Sequence, residues 1–167
     1  MAIDFNHTIV SARDSKASAE FLAEMLGLPA PRKWGSFQMV TTENGANIDF
    51  KNTEGESTAQ HYAFLVSEPE FDQIFGRIRK RSLPYWADPA QEQSGEINHH
   101  DGGRGVYFED LDGHLLEVIT RPYGSGGSNV TFTPQPGVAS PDAGESIKTD
   151  ASGLLGSPPP QAASANA

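Results

Sequence analysis

The stretch Tyr107-Phe108-Glu109-Asp110-Leu111-Asp112-Gly113-His114-Leu115-Leu116-Glu117 decides the fold. Gly105 to Glu109 and His114 to Thr120 read as two strands, and Asp112-Gly113 between them is a strong short turn signal. A calcium loop at Asp110, Asp112 and Gly113 is set aside, because the other ligand positions of an EF-hand are missing. Four positions after the turn glycine stands a carboxylate, Glu117. The same arrangement occurs earlier in the chain. Phe37 to Thr42 and Ala46 to Lys51 flank Asn44-Gly45, and Gly45 leads after four positions to Asp49.

Upstream of each hairpin the order repeats as well. Ile3 to Val10 alternates like a strand and carries His7, while His61 to Val66 is a strand that opens on His61. A helix follows each strand. Asp14-Ser15 supplies an N-cap for the first, whose Ala17, Phe21, Leu22, Met25 and Leu26 fall at helical spacing until Gly27 and Pro29 end it. Ser67 and Glu70 form a capping box for the second, with Phe71, Ile74, Phe75 and Ile78 on one face. A short strand near Leu83 to Trp86 and a long polar loop then lead to the closing hairpin. The repeat predicts an α+β fold of two β-α-β-β-β modules, about 3–52 and 58–121, forming a cupped mixed sheet with helices on its outer face. From Gly124 to Ala167 the chain is dominated by Gly, Ser, Pro and Ala, and is expected to be a flexible tail. Its Pro158-Pro159-Pro160 run is compatible with an extended polyproline segment.

Alternation assigns faces within each strand. Glu117 shares one with Leu115 and Ile119, and His61 shares one with Ala63 and Leu65. A carboxylate and an imidazole turned into an apolar cavity need partners, since unpaired buried charge is costly. A divalent metal satisfies both together.

At Phe5-Asn6-His7-Thr8, Gln60-His61-Tyr62-Ala63-Phe64 and the closing hairpin, the sequence resembles the vicinal-oxygen-chelate superfamily over about residues 3–121. That group includes glyoxalase I, extradiol dioxygenases, fosfomycin-resistance thiol transferases and bleomycin-binding proteins. The resemblance implies that His7, His61 and Glu117 are metal ligands, with Asp49 as a possible fourth. Without Asp49 the set is a facial triad of two histidines and one carboxylate, which leaves positions open for substrate or oxygen. It also implies a divalent transition metal (Fe, Mn, Ni, Co or Zn) and a homodimer, in which His7 and Asp49 of one subunit can meet His61 and Glu117 of the other. His61-Tyr62-Ala63-Phe64 looks like the thiol-transferase branch, but Arg121 is followed by Pro122-Tyr123-Gly124 and not by the basic residues that hold a phosphonate.

The loop Gln91 to Gly105 carries Glu96, His99, His100, Asp101 and Arg104. His99 and His100 are candidate acid–base groups above the metal. Trp34, Phe37, Met39, Trp86 and Tyr107 are core by default and cavity-lining at most, and His114 after its turn glycine reads as structural.

Composition narrows the partners. The net charge of -10 argues against nucleic acid, whose phosphates require clustered Lys and Arg. The one basic cluster, Arg77, Arg79, Lys80 and Arg81, complements a helix C-terminus. With no cysteine, thiolate metal sites and cysteine nucleophiles are excluded. No apolar run reaches membrane-spanning length and no signal-peptide pattern opens the chain, so a cytoplasmic protein is expected. The function this reading favours is a metal-dependent glyoxalase- or dioxygenase-like enzyme whose small oxygen-rich substrate chelates the ion. The alternative is a binding protein that sequesters an antibiotic or toxin in the same cleft.

Overall fold

The structure is a computed structural model and describes residues 3–126 apart from Glu56. Most of the expected tail, including the triple proline, lies outside the described residues.

The first module runs β1 (His7–Ala12), α1 (Ser15–Leu26), β2 (Arg32–Trp34), β3 (Phe37–Thr41) and β4 (Asn47–Asn52). The second runs β5 (His61–Leu65), α2 (Glu68–Lys80), β6 (Tyr85–Trp86), β7 (Gly105–Glu109) and β8 (Leu115–Ile119). Each builds a four-stranded mixed sheet with the same wiring, β1-β4-β3-β2 and β5-β8-β7-β6. The duplication extends to single residues. In the first sheet His7 pairs with Asn47, and Asp49 lies between Ile9 and Met39. In the second His61 pairs with Leu115, and Glu117 lies between Ala63 and Tyr107. Because paired residues point to the same side of a sheet, each module presents one histidine and one carboxylate on a common face.

The opposite faces make the core. Val10, Ala12, Val40, Ile48 and Phe50 of the first sheet join Val106, Phe108, Leu116 and Val118 of the second, with Phe21, Leu22 and Met25 from α1 and Phe71, Ile74 and Ile78 from α2. Local signals fix the helices. The Asp14 carboxylate accepts from Lys16 N and Ala17 N, and Gly27 ends α1 in the left-handed region. Ser67 and Glu70 complete the capping box of α2, whose last turn carries Arg77, Arg79 and Lys80. The first strand begins later than expected: β1 starts at His7, because its partner among the described residues, β4, starts opposite it at Asn47.

Besides the packing and ion pairing of α1 with α2, two polar contacts of the closing hairpin tie the modules together. The Asp112 carboxylate accepts from Arg13 N at 3.0 Å, Arg13 Nε at 2.9 Å and the Ser18 hydroxyl at 2.6 Å. Burial pushes this carboxyl up, but the bonds from Ser18 and Arg13 outweigh it and hold the group below the usual carboxylate range. A depressed value contributes stability above the ordinary range, near about pH 4, and loses it as pH falls through the folded value. Asp112→Asn is therefore expected to flatten the acid limb of a urea-midpoint profile. The second contact is His114, fully buried. Its Nδ1 accepts from Gln60 N at 3.0 Å, and its Nε2–H donates to the Ser11 carbonyl at 2.9 Å. His114→Ala opens a cavity and strands two backbone groups, so denaturant titration should register a loss of about 3–5 kcal/mol.

Candidate metal centre

His61 and Glu117 meet on the exposed face of the second sheet. The Glu117 side chain is almost fully buried, at 1% exposure, and its Oε2 lies 3.2 Å from His61 Nε2. His61 Nδ1 lies 3.1 Å from the Leu115 carbonyl, which can only accept, so Nδ1 carries the hydrogen. A neutral ring then turns the lone pair of Nε2 toward an anionic oxygen. Two facing lone pairs need a cation between them, either a proton or a metal ion. Donors about 2.1 Å from one ion and at right angles stand about 3 Å apart, so the observed separation suits a shared divalent cation.

The other Glu117 oxygen is held by tyrosines. Tyr123 donates to Glu117 Oε1, and Tyr107 donates in turn to the Tyr123 hydroxyl at 2.8 Å. Burial and the neighbouring Glu117 carboxylate raise both phenols, Tyr123 to about 12 and Tyr107 further, so both stay protonated donors at neutral pH. The Tyr107 ring also stacks on His61, with centroids 5.9 Å apart. Tyr123 had no sequence signal, because it lies beyond the last strand and outside either repeat.

The first module carries the equivalent pair. His7 is exposed at the start of β1, and its Nδ1 bonds to Asn6 Oδ1 at 2.8 Å. Asp49 is buried, and its Oδ1 has no hydrogen-bond partner among the described residues. An orphaned buried carboxylate oxygen is costly, which is a second sign that a cation belongs on this face. Among the described residues of one chain, however, no three His, Asp or Glu side chains converge on a common point. His61 and Glu117 come together; His7 and Asp49 do not join them.

The remaining candidates divide. His99 and His100 are exposed, and neither ring bonds to a described residue. Arg104 is turned to α2: it pairs with Glu68 and Asp72, each at 2.7 Å, and lies 4.4 Å above the Phe71 ring. Strand register puts Trp34, Phe37 and Met39 on the Asp49 face, and Trp86 and Tyr107 on the Glu117 face. A groove of about 800 Å³ beside β5, lined by Phe5, Ile48, Tyr62 and Phe64, touches the centre only through His61. No helix among the described residues is long and apolar enough to cross a membrane.

This duplicated βαβββ fold, with a histidine and a carboxylate on each module, defines a class, and the sequence comparisons agree with it. The family model described as the Glyoxalase/Bleomycin resistance protein/Dioxygenase superfamily matches residues 4–118, and the chain belongs to that superfamily. Among solved structures it is similar to Oxidase ChaP-H2, at 59% identity and a TM-score of 0.74, over 76% of this chain and 100% of that one. Oxidase ChaP-H1 follows at 57% identity and a TM-score of 0.73, over 74% of this chain and 99% of that one. Among curated proteins, Glutathione transferase FosA from Serratia marcescens is 27% identical over 71% of this chain and 81% of its own.

Proposed function

We propose that this protein is a divalent-metal-dependent oxidase or dioxygenase, acting on a small oxygen-rich substrate that binds the ion through adjacent oxygens. The observation that carries this reading is the 3.2 Å approach of His61 Nε2 to Glu117 Oε2, with the Leu115 carbonyl beside Nδ1. Similarity to two proteins named as oxidases, at 59% and 57% identity, favours oxygen chemistry over a glyoxalase-type lyase. His61, Glu117 and His7 would hold the ion, with Asp49 able to supply a fourth donor. When bound, the ion acts as a Lewis acid toward chelating oxygens, and an iron ion brings redox chemistry as well.

The protein's own groups prepare that centre. The Leu115 carbonyl fixes the His61 tautomer and points Nε2 at the site. Tyr107 packs against the same ring and so limits its rotation. We further propose a homodimer whose two centres each combine His61 and Glu117 of one chain with His7 of the other. Exposed apolar residues flank both histidines, with Ile9 at 53% and Leu65 at 60% exposure, as a buried contact would require.

The test is elemental analysis of protein purified without added metal, followed by oxygen uptake after anaerobic loading with Fe(II). The expected result is about one transition-metal ion per chain and oxygen consumption with vicinal-dihydroxy aromatic compounds. Protein that neither retains nor takes up metal would instead favour a ligand-sequestering role.

A further inference from the structure

Beyond β8 the described residues, through 126, stay against the molecule. Ser125 N bonds to the Pro122 carbonyl at 3.1 Å, making a turn that folds residues 121–126 back toward the loop before β7. There the Asp101 carboxylate accepts from two backbone amides, Gly124 N on Oδ2 and Gly126 N on Oδ1, each at 3.0 Å. Asp101 takes a left-handed backbone, φ 55°, within a 3₁₀ turn at His100–Gly102. The contact is close as well as polar. A Cβ on Gly126 would lie 2.6 Å from Asp101 Cα, so only glycine allows the strap to come this near. Between the two ends of this strap, Tyr123 turns its hydroxyl onto Glu117 although the residue as a whole is 57% exposed.

An exposed ring gains little from burial, so packing does not explain its position. Its hydroxyl ends on the one Glu117 oxygen that does not face His61. We propose that Tyr123 is a positioning residue for the metal centre: it occupies Oε1 so that Glu117 offers only Oε2 to the ion, and the Asp101 clamp on Gly124 and Gly126 sets its place. This rests on the metal-dependent reading above. A carboxylate limited to one donor oxygen leaves one more coordination position for substrate. The chemistry of the pair His61–Glu117 would thus be tuned by a strap outside both repeats, with the loop that carries His99 and His100 acting through Asp101.

Cobalt(II) supplies the test, since its visible absorption reports coordination number and its titration reports affinity. The full-length protein, Tyr123→Phe and Asp101→Asn would be compared, with circular dichroism confirming that each is folded. Tyr123→Phe keeps the ring and removes only the hydroxyl. It should weaken the visible bands, as expected when the freed carboxylate chelates through both oxygens, and change affinity about 10-fold or more, the usual scale for losing a bond to a ligating group. Asp101→Asn, which touches no proposed ligand, should shift the spectrum the same way by a smaller amount. A Tyr123→Phe spectrum matching the wild type, with affinity within about 2-fold, would overturn the positioning role while leaving the metal centre intact. A wild type that binds no cobalt would overturn the centre itself, and this role with it.

Discussion

His61→Ala and Glu117→Gln are each expected to lose the bound ion, with metal affinity lowered by more than about 100-fold and turnover at background. Removing a ligand costs more than removing its hydrogen-bonding neighbour, which already costs 10- to 100-fold. The stability of the metal-free variants separates this from a folding defect. The Glu117 side chain is buried to 1% exposure beside His61, so without the ion its charge has no metal to balance it. An amide can donate to His61 Nε2, and it carries no charge to desolvate. Metal-free Glu117→Gln should therefore melt at or above the metal-free wild type, while the order reverses once metal is added. A residue kept for structure alone would show the same loss in both states.

His7→Ala is expected to be as damaging to activity as either of these, with almost no effect on folding. Its side chain is exposed, and its hydrogen bond is to the adjacent Asn6, so packing gives no reason for a stability cost. The sharper result comes from mixing. Neither His7→Ala nor Glu117→Gln alone can build a centre if each site draws on two chains. Unfolded together and refolded, they should regain about one quarter of wild-type activity: half the dimers are mixed, and each mixed dimer has one intact site of two. Sites formed within one chain would give no recovery at any ratio.

The repeat made most of the fold legible. Two hairpins with Asn44-Gly45 and Asp112-Gly113 turns, two capped helices and two histidine-bearing strands were enough to place eight of the ten strands and α-helices among the described residues, as well as the short β6. The element that escaped was β2. Arg32–Trp34 is short, wholly exposed and sits just after Pro29 and Pro31, so it lacks both alternation and a buried face. Register was legible for the same reason the site was: alternation puts Glu117 with Leu115 and Ile119, and the sheet keeps that order. The depth of Asp49 was not. Beside Asn47 and Lys51 its sequence fits a solvated residue as well as a ligand, yet Asp49 is buried between Ile9 and Met39 of the neighbouring strands. Local sequence cannot report what strands on either side bring. Tyr123 and Asp101 were hidden for a related reason: Tyr123 meets Tyr107 across 16 residues, Asp101 meets Gly124 and Gly126 across 23 and 25, and none of these spacings follows a periodicity.

Among the described residues neither His99 nor His100 makes a ring hydrogen bond, and Asp101 of the same loop accepts from Gly124 N and Gly126 N. Arg104, which shares that loop, is committed to α2 by Glu68 and Asp72. Substitution of both histidines tests whether the loop also reaches substrate.

Native mass spectrometry of the protein as purified tests the shared metal centre most directly, because it counts chains and ions in the same particle. The expected spectrum is a two-chain species carrying two metal ions, with the one-chain species metal-free. Single chains that hold an ion, or two-chain particles that remain without metal after loading, would contradict a centre assembled from His61 and Glu117 of one chain and His7 of its partner.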